Sequence, residues 1–169
     1  MHSTAIIGVG NKLMGDEGVG IHAIEYMRET LSSPQKRESQ APSRDPRFHG
    51  DDMQFDLIDA GTGGVTLLHM FEEYDRVILI DCADFGGTPG EVKRFDLEKV
   101  SLTNDDSQIS LHGTSIAGIL ELGKRLGKKI PKIDIVAVQP AKLDYSMDLS
   151  KECSLSLETI ATVAKGLLR

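Results

Sequence analysis

The chain has 169 residues, a formal charge of −7, 40% hydrophobic residues and 27% charged ones. That length and apolar content support one well-filled core and exclude wholesale disorder. The acidic balance argues against a nucleic-acid surface, because phosphate binding needs a basic face.

The apolar run Ala5 to Val9 predicts a buried first strand. It breaks into a loop holding Gly10, Asn11 and Gly15, and a helix is predicted over 18–31, with Ile21, Ile24, Met27 and Leu31 at helical spacing. Asp16 and Glu17 stand where that helix begins. A strand that delivers two acids to a helix start puts them at the carboxyl edge of the sheet, where open α/β folds carry their sites. The glycines do not make a dinucleotide fingerprint: after Gly8 and Gly10 the third glycine is replaced by Leu13. No Gly-Lys-Ser/Thr follows, so the loop is not a P-loop either. The plain structural reading is that Asp16 caps the helix and Glu17 complements its dipole.

From about 33 to 53 the pattern collapses into prolines, charges and few apolar residues, which predicts a long polar surface excursion. Phe55 to Ile58 resumes a strand that ends at Asp59, followed by Ala60-Gly61-Thr62-Gly63-Gly64 and a helix carrying Leu67, Leu68 and Phe71. Arg76 to Ile80 reads as the central strand, uninterruptedly apolar at Val77-Ile78-Leu79-Ile80, ending at Asp81 with Asp84 close behind. Val92 to Phe95 is one more strand. Residues 82 to 90 are too few for a parallel crossover of about a dozen residues, so it is placed antiparallel, at an edge. Asp96 to Ile109 is polar and irregular. His112 opens the next helix, with Ile116, Ile119, Leu120 and Leu126 on its core face and Gly127 at its end. Ile133 to Val138 is the last strand, ending at Gln139-Pro140, and a helix over about 155 to 168 closes the chain. Strands alternating with helices predict a single α/β domain over 1–169: a three-layer α/β/α sandwich with a twisted, mostly parallel five-stranded sheet and one antiparallel edge strand.

If the strands are parallel, the acids that follow them, Asp16 with Glu17, Asp59 and Asp81, share one sheet edge. His112 faces the same edge if its helix follows such a connection, and Asn11 and Gln139 could add polar contacts. Crowded carboxylates raise one another's pKa unless a cation neutralises them. One carboxylate from each of two loops plus an imidazole is a workable metal set, better suited to zinc, copper, iron or nickel than to magnesium or calcium. The competing readings are local: Asp59 and Asp81 capping loops, His112 satisfying a turn. His2, His22, His49 and His69 have no companion acids at telling spacing, and Cys82 reads as a small apolar residue beside the central strand. Ser115 follows His112 by three, but no Gly-x-Ser-x-Gly elbow accompanies it, and no His-Glu-x-x-His helix exists. With two cysteines, no basic-then-apolar N-terminus and no run approaching the roughly 20 apolar residues of a membrane span, a cytoplasmic protein is expected, binding neither membrane nor nucleic acid.

Gly8-Val9-Gly10-Asn11 with Gly15-Asp16-Glu17-Gly18-Val19-Gly20 resembles the opening of the hydrogenase maturation proteases. Asp59-Ala60-Gly61-Thr62, the strand ending Ile80-Asp81, Pro89-Gly90-Glu91, Leu111-His112 and Val138-Gln139-Pro140 follow in that family's order. The resemblance implies an endopeptidase that removes a C-terminal extension from the precursor of a nickel–iron hydrogenase large subunit once nickel is in place. It implies a metal site of Glu17, Asp81 and His112, with Asp16 as the reserve first ligand and Asp59 needed for activity without being a ligand. The nickel is supplied by the precursor and serves as a recognition element, while other divalent ions occupy the site in isolation. Water assisted by Asp16 or Asp59 is the expected nucleophile, and a monomer suits docking on a large precursor. The polar stretch from about 34 to 53 is longer than the family pattern. Two alternatives stay open: a non-catalytic nickel-dependent checkpoint or chaperone for the same precursor, and a general metal-dependent aminohydrolase.

Overall fold

In a computed structural model, which describes residues 3–31, 47–48, 55–96, 110–111 and 116–168, Ile6 and Ile7 are both fully buried but belong to opposite faces of one strand. That strand, β1 (Thr4–Gly8), lies inside the sheet and explains why its sequence is a continuous apolar run rather than an alternating one. It pairs in parallel with β3 (Asp56–Asp59) on one side and β4 (Arg76–Asp84) on the other. Beyond β4 lies β7 (Lys132–Val138), also parallel, and then β5 (Val92–Asp96), antiparallel to β7 at the edge. These five strands form the expected mostly parallel sheet with its antiparallel edge.

Two-residue strands enlarge the sheet to seven: β2 (Arg47–Phe48), antiparallel to β3, and β6 (Ser110–Leu111), antiparallel to the end of β4. β2 lies within the stretch expected to be an excursion. The remainder of that stretch, like 97–109 and His112, lies outside the described residues.

Helices α1 (Val19–Leu31) and α4 (Lys151–Gly166) cover one face, packing Val19, Ala23, Ile24, Met27, Ile160, Ala161 and Ala164 against Ile6, Leu57, Ile78 and Val136. On the other face, α2 (Thr66–Glu72) and α3 (Ile116–Arg125) pack Leu67, Phe71, Ile119 and Leu120 against Ile7, Ile58, Leu79 and Ile135. The three layers are therefore as predicted.

Three local expectations are corrected. β4 does not end at Asp81; it runs on to Asp84, because Asp81 and Cys82 stay in register with Ala137 and Val138 of β7. The last helix starts at Lys151, where the Ser150 hydroxyl caps it by accepting the Cys153 N–H at 3.2 Å. Leu126 is exposed, because α3 ends at Arg125 and the chain turns away at Gly127, whose φ is +66°.

Asp134 is a fully buried charge in the middle of β7. One of its oxygens accepts Arg76 Nη2 from β4 at 2.8 Å, and the other accepts Arg94 Nη2 from β5 at 2.7 Å. Burial works against ionisation, but the two guanidinium groups prevail and hold its carboxyl below the usual range. The network ties the antiparallel edge strand to the parallel sheet.

Candidate functional site: two acids at the strand-order reversal

From β1 the chain passes to β3 on one side, then crosses back to β4 on the other. The sheet order thus reverses between β1 and β4, and the crevice outside their carboxyl ends is where open α/β folds bind ligands. The first loop and Asp81 occupy that place. Gly8 is level with Asp59 on one side and Ile80 on the other, the Val9 N–H donates to Ile80 O at 2.9 Å, and the Gly10 N–H donates to Gly61 O at 2.8 Å.

Glycine is required here for close approach. A Cβ on Gly20 would collide with the carbonyl oxygens of both Val9 and Ile80, and one on Gly10, at φ +153°, with the carbonyl of Glu17. The helix start is thereby drawn down onto the strand ends, with the turn that carries Glu17 beside them.

Asp81 is buried, and its Oδ1 accepts the Cys82 N–H at 2.8 Å. Burial pushes its pKa up to about 7; the Cys82 hydrogen bond opposes this, and the negative charge of Glu17 adds to the rise. A buried carboxylate beside the charge of a second acid is a place where a cation lowers the cost of ionisation. Glu17, on the short 3-10 turn Gly15–Gly18, is only partly buried. Among the described residues no three His, Cys, Asp or Glu side chains cluster as a metal set; the third expected member, His112, lies outside them.

Asp16 does something the sequence did not announce. It does not cap its own turn. Its Oδ2 accepts the backbone N–H groups of Ala141 at 2.9 Å and Lys142 at 3.1 Å, and its Oδ1 accepts that of Ser150 at 2.7 Å. Burial would raise its pKa, but these donors outweigh it and hold the carboxyl below its ordinary value. Asp16 is thus a weak base that fastens the segment after β7 to the first loop. The partners are backbone amides far along the chain, which no side-chain pattern reports.

Asp59 sits at the end of β3, and its Oδ1 accepts the Gly61 N–H at 2.8 Å, an Asx turn that shapes the Asp-Ala-Gly-Thr loop. Gln139 is buried and structural as well: its Oε1 accepts the N–H groups of Phe85 and Gly87 and its Nε2 donates to Asp84, holding the loop after β4. Asn11 Oδ1 accepts the Leu13 N–H at 3.0 Å. His69 is exposed, and His22 lies on α1 near Glu25, its Nδ1 3.6 Å from that carboxylate; His2 and His49 lie outside the described residues. Cys82 and Cys153 are free, buried thiols whose pKa values burial raises, so both are inert packing groups. No helix among the described residues is long and apolar enough to cross a membrane.

Comparisons with known proteins agree with this architecture. The hydrogenase expression/formation protein HoxM of Cupriavidus necator is 29% identical over 164 residues, covering 96% of this chain and 72% of HoxM. HupD of Rhodobacter capsulatus is 29% identical over 145 residues, covering 85% of this chain and 60% of HupD, so this chain spans less than two thirds of that relative. The structure of the hydrogenase maturating endopeptidase HybD from E. coli superposes with a TM-score of 0.71 at 22% identity, covering 99% of this chain and 92% of that one, a likeness of fold. Residues 43–166, more than half of the chain, match the hydrogenase maturation protease family, HycI. The chain belongs to the hydrogenase maturation protease family.

Proposed function

We propose that this protein is a cytoplasmic, monomeric endopeptidase that removes a C-terminal extension from the precursor of a nickel–iron hydrogenase large subunit, and that it reads the nickel already carried by that precursor. The observation that carries this reading is that Asp81 lies buried at the crevice of the strand-order reversal, where burial and the charge of Glu17 both resist its ionisation. A metal arriving with the substrate relieves that cost only when it is present, which is what a recognition element has to do. His112 is assigned as the third protein ligand, and the precursor supplies the rest. Other divalent ions would occupy the same place in isolation.

The acid that assists water is assigned to Asp59 rather than Asp16. Asp16 spends both oxygens on backbone amides, whereas among the described residues only Oδ1 of Asp59 is engaged. A carboxylate with a lowered pKa is also the poorer general base. As the alternative first ligand, Asp16 is disfavoured for the same reason.

One observation favours the checkpoint reading: each acid nominated to activate water already serves a backbone hydrogen bond. Incubation with nickel-free and nickel-loaded precursor, followed by intact mass, separates the two. Loss of a C-terminal peptide from the loaded form alone supports the protease. Stable binding with no change in mass supports the checkpoint, and equal cleavage of both forms removes nickel recognition.

A further inference from the structure

The side chain of Gln139 reaches past the end of β7 to the residues that follow Asp81 on β4. Its Oε1 accepts the N–H groups of Phe85 at 2.9 Å and Gly87 at 3.1 Å, and its Nε2 donates to Asp84 Oδ1 at 3.1 Å. Its backbone is held as well: the Gln139 N–H donates to Glu91 O, and its carbonyl accepts the Gly90 N–H, both at 2.9 Å.

These bonds begin where the ladder stops. Pairing of β4 with β1 ends at Ile80, and pairing with β7 ends at Cys82, one residue past Asp81. Beyond Cys82, on the β7 side, a side-chain amide takes over from the backbone. Phe85 is buried, and its N–H would be costly to leave unpaired, so the strand end after Asp81 follows Gln139.

Two residues further on, the same stretch is fastened to the first loop. The N–H groups of Ala141 and Lys142 donate to Asp16 Oδ2, and Asp16 precedes Glu17 on one short turn. Only Pro140 lies between Gln139 and Ala141. Its ring fixes its own φ and biases the residue before it to extended backbone. Residues 139–142 are therefore a short, stiff span from the strand that carries Asp81 to the turn that carries Glu17.

We propose that Gln139 is a positioning residue for precursor processing, acting with Pro140 and Asp16 as a brace that sets the turn carrying Glu17 against the strand end carrying Asp81; this rests on the functional reading above. The test compares wild type, Gln139→Met, Asp84→Ala and Arg94→Ala in steady-state cleavage of nickel-loaded precursor and in calorimetric binding of Ni2+ alone. Gln139→Met keeps the side-chain length and removes its hydrogen bonds. Asp84→Ala removes the Nε2 acceptor at an exposed position, so it folds even where Gln139→Met does not. Arg94→Ala loosens the antiparallel edge strand away from the brace and is the structural control. The expected result is a kcat about tenfold lower in Gln139→Met, with Ni2+ bound about fivefold more weakly, and a kcat about threefold lower in Asp84→Ala. Arg94→Ala keeps both values within about twofold of wild type although it unfolds in less urea. A wild-type kcat in folded Gln139→Met, or in Asp84→Ala should Gln139→Met not fold, overturns the brace and leaves the functional reading standing. An equal loss in Arg94→Ala also overturns it, because lowered stability alone then explains the effect. A wild type that neither binds Ni2+ nor cuts the precursor overturns the functional reading and the brace with it.

Discussion

The Asp16 carboxylate accepts the backbone N–H of Ser150 at 2.7 Å, although 134 residues of chain separate them. The charge of Glu17, the very next residue, instead adds to the raised pKa of Asp81. Adjacent acids thus divide the work, one closing the fold around the site and the other lining it.

That division predicts opposite phenotypes for two isosteric changes. Asp16→Asn sets an NH2 against N–H donors and is expected to cost about 2–3 kcal/mol in urea unfolding. Glu17→Gln should leave stability within about 0.5 kcal/mol of wild type while abolishing precursor processing. Equal destabilisation by the two would contradict the assignment.

Asp81 gives a pH dependence whose sign follows from its raised pKa. Between about 4 and about 7 the folded state keeps a proton that the unfolded chain has lost, so Asp81 makes stability fall as pH rises through that window and level off above it. Asp81→Asn preserves an acceptor for Cys82 and removes this term, so its advantage over wild type should grow from pH 5 to pH 8 in denaturant titrations. A cation must displace the same proton: binding of Ni2+ to the isolated protein should weaken about tenfold per pH unit below about 7. Calorimetry giving one Kd from pH 5 to 8 would count against it.

Asp134 carries the opposite sign. Its depressed pKa contributes stability that is present above the ordinary carboxylate range and lost as pH falls through the folded-state value. Asp134→Ala strands two guanidinium groups and should cost about 3–5 kcal/mol. Arg94 is about half exposed, so Arg94→Ala should cost less, with faster hydrogen exchange concentrated in β5.

Much of the fold was legible because the apolar runs at 5–9 and 77–80 belong to strands covered on both faces. The short stretch 82–90 correctly made β5 antiparallel. The end of β4 was misread because Asp81 looks like a strand terminus, whereas pairing with β7 carries the ladder through it. The start of α4 was misread because Lys151, Glu152 and Ser154 interrupt the apolar period; Ser150 before them was the available signal. The placement of Glu17 and Asp81 at one edge of the sheet followed from topology. The task of Asp16 did not, since its partners are amides. Asp134 left a trace that was overlooked: an acid inside an apolar strand, with arginines on both neighbouring strands.

The close fit of α1 on the strand ends is also testable. Gly20→Ala drives a methyl into the Val9 and Ile80 carbonyls and should cost about 3 kcal/mol. Precursor processing should fall even at temperatures where the variant stays folded, because Glu17 moves away from Asp81. A stable variant with wild-type processing would show that the approach is not needed.

The central claim is that Glu17 and Asp81 together read the metal of the precursor. Its most direct test is an intact-mass time course of nickel-loaded precursor with wild type, Glu17→Gln and Asp81→Asn, each verified as folded by circular dichroism. The account predicts peptide release by wild type and at least a hundredfold slower release by both variants. Normal cleavage by a well-folded Asp81→Asn protein would contradict it.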